Sequence, residues 1–256
     1  MDRRNFLKTG GIALLGSLAT GSAMALTTPG ALGGEGADKK AAVALAMNHF
    51  GVSEADLKKV LAAALEKGGD YADLFFEHTI SNSIRLMDGA VNNSYSNIDY
   101  GVGVRVLTGD QSGYAYVENI TVEDMLKAAR TAARIASANK GNKPLNLTEK
   151  ELKKNYYTVA SPWEEVSLKD KMPYLQKLND RIFALDKRVH KVQASQSDTT
   201  SHIFFCNSEG VMFYDYRPMV TLGAVCIMEE DGKTENGYAA RAYRRGFDFL
   251  SDEVVD

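Results

Sequence analysis

Tyr100-Gly-Val-Gly-Val-Arg-Val-Leu-Thr-Gly-Asp-Gln-Ser-Gly-Tyr-Ala-Tyr116 is the stretch on which the reading of this chain turns. Val102, Val104 and Val106 alternate with Gly103 and Arg105, and Gly109-Asp110 supplies turn residues, so the stretch predicts strand, tight turn, strand. Glycine weakens a strand interior, so Gly101 and Gly103 mark a bulge or a close backbone approach. They do not form a nucleotide loop. Gly101-Val-Gly103 lacks the third glycine and the following helix that would present amides to a phosphate.

Working outward, Ser53-Glu-Ala-Asp56 forms a capping box, and Leu57, Val60, Leu61, Ala64 and Leu65 follow at helical spacing until Gly68-Gly69. Tyr71–His78 and Ser83–Met87 read as two strands, and Asp88-Gly89 turns the chain into a third over Ala90–Asn97. After the hairpin, Thr121 caps a helix whose stripe of Met125, Leu126, Ala129, Ala132, Ala133 and Ile135 faces a core. A second segment follows the linker Asn139–Pro144. It predicts a helix over about 167–188, with Pro173 inside the pattern. Four β-like runs then succeed it: Val189–Ser197, His202–Asn207, Val211–Tyr216 and Val220–Glu229. The expected fold class is α+β, with two domains, each an antiparallel or mixed sheet carrying helices on one face. Boundaries fall at 1–25, 26–50 (a linker), 51–139 and 140–256.

With 256 residues, 45% hydrophobic and 25% charged, the composition is that of an ordinary globular protein. The net charge is -3, and removing residues 1–25 leaves about -5 on the same formal count. No basic stripe interleaved with aromatics is visible, which argues against nucleic acid as a partner.

The amino terminus predicts export. Arg3-Arg4-Asn5-Phe6-Leu7-Lys8 matches the twin-arginine consensus, with Arg3, Arg4, Phe6 and Leu7 carrying the signal. A glycine-diluted apolar run ends at Ala23-Met24-Ala25, a small-x-small cleavage site with Ala23 and Ala25 as its small residues. The run is too short to span a bilayer, so the membrane enters only through the export machinery, and the periplasm is the expected location.

Gly69–Glu77, the Asp88-Gly89 turn, Asp99–Arg105, Gly113–Tyr116 and the alanine-rich helix occur in an order and spacing that resembles the TldD/PmbA family. Those proteins are known as modulators of DNA gyrase or microcin-processing zinc metallopeptidases. The resemblance implies a peptide substrate, a homo- or hetero-oligomer with a family paralogue, and zinc in the full-length protein. It also implies a His-Glu-x-x-x-His motif on a helix in a third, carboxy-terminal domain. The histidines of this chain, His49, His78, His190 and His202, do not make that motif. The expectation is therefore that the chain is an amino-terminal portion, with no metal or catalytic residue of its own and no activity alone. A non-catalytic partner subunit and a free-standing periplasmic binding module are the alternatives.

Among the histidines, His190 and His202 flank a predicted hairpin and are candidates to approach one another, while His78 reads as a packing residue. Cys206 and Cys226 are expected to be two buried free thiols, because next-but-one strands lie about 9.6 Å apart, beyond disulfide reach. Arg105 and Tyr114 receive no role.

Overall fold

The computed structural model describes residues 39–136, 148–149 and 159–255. The export residues Arg3, Arg4, Phe6, Leu7, Ala23 and Ala25 lie outside them. The helices are α1 (Lys39–Phe50), α2 (Glu54–Leu65), α3 (Val122–Ile135), α4 (Leu168–Leu185) and α5 (Asp252–Val255). The strands are β1 (Tyr71–Met87), β2 (Ala90–Thr108), β3 (Gln111–Val117), β4 (Thr148–Glu149), β5 (Val189–Asn207), β6 (Val211–Glu230) and β7 (Lys233–Tyr243), with short 3₁₀ turns at Trp163–Glu165 and Phe247–Phe249.

The α+β class follows the sequence, but the two segments share one sheet instead of building two. Its order is β3-β2-β1-β5-β6-β4, with β7 also on β6. The join is the antiparallel pairing of β1 with β5, from Asp73–Asn207 to Met87–Gln193. Fewer, longer strands replace the expected short ones. Tyr71–Met87 is continuous because Thr79–Asn82 carries no turn residue pair, and β5 and β6 each fuse two expected runs. Pro218 is tolerated in β6 because it lies beyond the last β6–β7 pair, Val220–Tyr243.

Residues 39–50 correct the expected linker. They form α1, whose Val43, Ala46 and Phe50 are buried at helical spacing. Ser53 and Asp56 close the capping box of α2 as the sequence predicts. Asp88 and Gly89 both have positive φ, as a two-residue hairpin turn requires. Along α3 and its C-cap the buried line runs through Met125, Ala128, Ala129, Ala132, Ala133 and Ala136. Ile135 sits about 100° round the helix from Ala136 and is exposed, contrary to the expectation.

The described helices cover one sheet face, in two cores. The first joins α1, α2 and α3 to Leu74, Phe76, Val102, Val104 and Phe204. The second joins α4, Trp163 and Phe249 to Ile84, Leu86, Ala194 and Leu222. From Phe76 to Ile84 the strands cross about 27 Å at ~3.4 Å per residue. That interval, between the cores, is polar.

Candidate functional site

Side-chain alternation puts His78, Ile80 and Asn82 of β1 on the same face as the cores. Cross-strand register then sets a row: Tyr100 on β2 opposite His78, His78 opposite His202 on β5, and His202 opposite Tyr216 on β6. The next rows carry Ile80 with Thr200, then Asn82 with Asp198. From above, the last turn of α1 lowers His49 onto the first row.

Three imidazoles meet there. His49 Nε2 and His78 Nδ1 share one hydrogen over 2.8 Å. The His49 ring stacks on His202 with centroids 4.7 Å apart, and His78 and His202 are 5.9 Å apart. His202 Nε2 donates to Glu164 Oε1 at 2.5 Å, since a carboxylate can only accept. In the neutral ring its Nδ1 then accepts from the Tyr214 hydroxyl at 2.7 Å. Tyr216 donates to the other Glu164 oxygen at 3.3 Å. Desolvation where the ring lies over the sheet, followed by the neighbouring His202 and His78, pushes His49 down to about 4 although the residue remains partly open to solvent, against a smaller opposing pull from Glu164. Burial and His202 lower His78 in the same sense. Burial and the Glu164 carboxylate push the Tyr214 and Tyr216 phenols up. This row can hold and release protons, and it clamps α1 to the sheet.

A zinc centre needs three or four donors converging at about 2.0–2.3 Å. The cluster does not fit that demand. The planes of His49 and His202 are inclined by 26°, so their in-plane lone pairs run side by side instead of meeting, and both nitrogens of His202 are engaged. Among the described residues no group of three or more His, Cys, Asp or Glu side chains is placed to hold a metal ion.

Beyond the histidines, Asp198 is buried and takes three donors. Lys171 Nζ reaches Oδ2 at 2.5 Å, Gln196 Nε2 reaches Oδ2 at 2.8 Å, and Asn82 Nδ2 reaches Oδ1 at 3.0 Å. The Lys171 ammonium also lies 5.3 Å from the centroid of the Trp163 ring. A cavity of about 380 Å³ opens beside this network, lined by Ile80, Asn82, Tyr95, Trp163, Glu164 and Lys171 among others.

The residues singled out in the sequence fall variously. His190 does not approach His202; it is exposed, 4.0 Å from Glu229. Its place is taken by His49 and His78. A signal for that partner existed: Phe76-Glu-His78 read forward matches His202-Ile-Phe204 read backward, as antiparallel pairing of like residues requires. Arg105 is a structural partner, with Nε and Nη2 donating to the buried Asp73 carboxylate at 2.9 and 2.6 Å. Tyr114 lies across Gly103, its hydroxyl 2.5 Å from where a Cβ would stand. Both cysteines are free; Cys206 is buried but Cys226 is half-buried. Their strands are adjacent, not next-but-one, and what separates them is position along the ladder, Cys206 opposite Met212 and Cys226 opposite Val192.

Comparison with known proteins places this geometry. Residues 72–136 match PmbA/TldA metallopeptidase domain 1, and residues 161–256 match the PmbA/TldA metallopeptidase central domain, together more than half of the chain. A Haemophilus influenzae protein named Metalloprotease TldD homolog is 32% identical over 191 residues, covering 73% of this chain and 39% of that one. The chain spans about two fifths of the length of the curated relatives it matches. The fold is shared with a Thermotoga maritima protein assigned as a modulator of DNA gyrase, at a TM-score of 0.61 and 21% identity over 79% of this chain and 46% of that one. It is shared too with TldE from Thermococcus kodakarensis, at a TM-score of 0.54 and 14% identity over 78% and 46%. The two family matches fall in order on the two halves of the single sheet, and the chain belongs to the PmbA/TldD metallopeptidase family, of which it carries the first and the central domain.

Proposed function

We propose that this chain is the amino-terminal part of an exported zinc metallopeptidase acting on peptides or unfolded segments, with the zinc site in a third domain outside it. The ordered match to the first and central metallopeptidase domains carries this reading. The role of the present domains is to shape the substrate cleft. From Ala90 to Gly101, β2 pairs with β1 on one side and, among the described residues, has no partner strand on the other, since β3 ends at Val117, opposite Val102. Val91, Tyr95 and Ile98 are exposed along it. An extended peptide can add to such an edge through main-chain hydrogen bonds. The Arg3-Arg4 signal directs the protein to the periplasm.

A second reading is a non-catalytic subunit paired with a catalytic paralogue; TldE shares the fold of this chain. Zinc content and peptide cleavage, measured on this chain and on the protein extended downstream, separate the two. The first reading expects zinc and cleavage in the extended protein and in-frame His-Glu-x-x-x-His. Stoichiometric zinc on residues 26–256 overturns it, and a third domain without the motif favours the second.

A further inference from the structure

The three-histidine row does something that a peptidase scaffold does not require. It makes the seat of α1 depend on protons. His49 and His78 share a single hydrogen over 2.8 Å, a bond that exists while at least one of the two rings is neutral. When both are cations, two donors face each other at hydrogen-bond distance. His202 lies within 6 Å of both and crowds the same space.

We propose that α1 is held by an acid-released latch, in which His49 docks the helix onto His78 and His202 near neutral pH and protonation of the cluster lifts it from β5 and β6.

Titratable groups surround the cluster from every element packed against it. β1 brings His78, β2 brings Tyr100, β5 brings His202, β6 brings Tyr214 and Tyr216, and the 3₁₀ turn brings Glu164. Glu164 is the sole anion among these groups, and it is bound to His202 and Tyr216. It can offset one imidazolium, not both of His49 and His78. The phenols stay neutral across the acid range because burial raises them. The sign follows from linkage. A histidine held below its ordinary 6.5 in the folded state binds fewer protons there than in the unfolded chain, so its contribution is full above about 6.5 and is lost as pH falls towards about 4. The rest of the α1 seat is one short apolar stripe, Val43, Ala46 and Phe50 with half-buried Met47, in which Phe50 against Phe76 and Phe204 is the main anchor. Local release can therefore precede global unfolding.

Amide hydrogen exchange on the full chain between pH 8 and 4.5, corrected for the intrinsic pH dependence of exchange, tests the latch. Protection of residues 41–50 should fall about tenfold or more between pH 7 and 5 while β5 stays protected. His49→Phe keeps a stacking ring without a titrating nitrogen, and its α1 protection should be flat over that range. His78→Gln, which keeps a hydrogen-bonding partner, should flatten it likewise. Loss of α1 and β5 protection together in the wild-type chain, or an unchanged α1 down to pH 5, overturns the proposal. An identical pH profile in wild type and a folded His49→Phe does so as well. If neither variant folds, the wild-type order of α1 and β5 loss decides alone.

Discussion

Gly113 on β3 sits directly beneath the main-chain carbonyl of Ala132 on α3, which occupies the place a Cβ on residue 113 would take. The contact explains why the opening hairpin is glycine-rich. Gly113 brings the helix backbone onto the sheet, and Gly103 lets Tyr114 cross the strand. Gly113→Ala must lift α3 off β3 or bend it. A loss of about 1–3 kcal/mol is expected for such overpacking, read from the urea midpoint. An unchanged midpoint would mean that α3 is free to slide.

Lys171 and Asp198 form an ion pair with side chains 5% and 1% exposed. Removing one partner strands the other charge, so Lys171→Met should cost about 3–5 kcal/mol. Adding Asp198→Asn should recover most of it, because the amide needs no cation. Equal stability of the two variants would show that the pair is not the source of the loss.

The two thiols should differ. Burial and the Asp73 carboxylate push the Cys206 thiol up, so its reactive thiolate is scarce at pH 8. A thiol reagent should label half-buried Cys226 first and reach Cys206 only after unfolding. Equal labelling rates in the native protein would contradict the packing of the first core.

For export, Arg3→Lys with Arg4→Lys should leave the protein in the cytoplasm, measured by fractionation. Unchanged periplasmic recovery would refute the twin-arginine reading.

Some of this molecule could be read from its residues because each local signal agreed with its burial. The Ser53 cap, the Asp88-Gly89 turn and the Val102–Val106 alternation are of that kind. Others could not. Strand β7, Lys-Thr-Glu-Asn-Gly-Tyr-Ala-Ala-Arg-Ala-Tyr, is exposed along its whole length, so no buried face imposes a period of two on its sequence. Helix α1 buries only Val43, Ala46 and Phe50, too short a stripe to stand out beside a glycine-rich leader. The histidine row escaped for a different reason. His49, His78 and His202 come from three elements, and register across the β1–β5 pair, which no local pattern displays, brings them together. Glu164 came with a 3₁₀ turn that has no periodicity to detect.

The β1–β5 ladder also sets the order of events at the ribosome. After Met87 emerges, about a hundred residues must follow before Val189 and the rest of β5 can arrive. Until then the first family domain is an open half-sheet, with Leu74 and Phe76 beside a bare strand edge. Such long-range closure is slow, and an unpaired apolar edge invites association with other nascent chains. The boundary between the two family domains is thus not a boundary between folding units, and the early half depends on shelter until the late half is made.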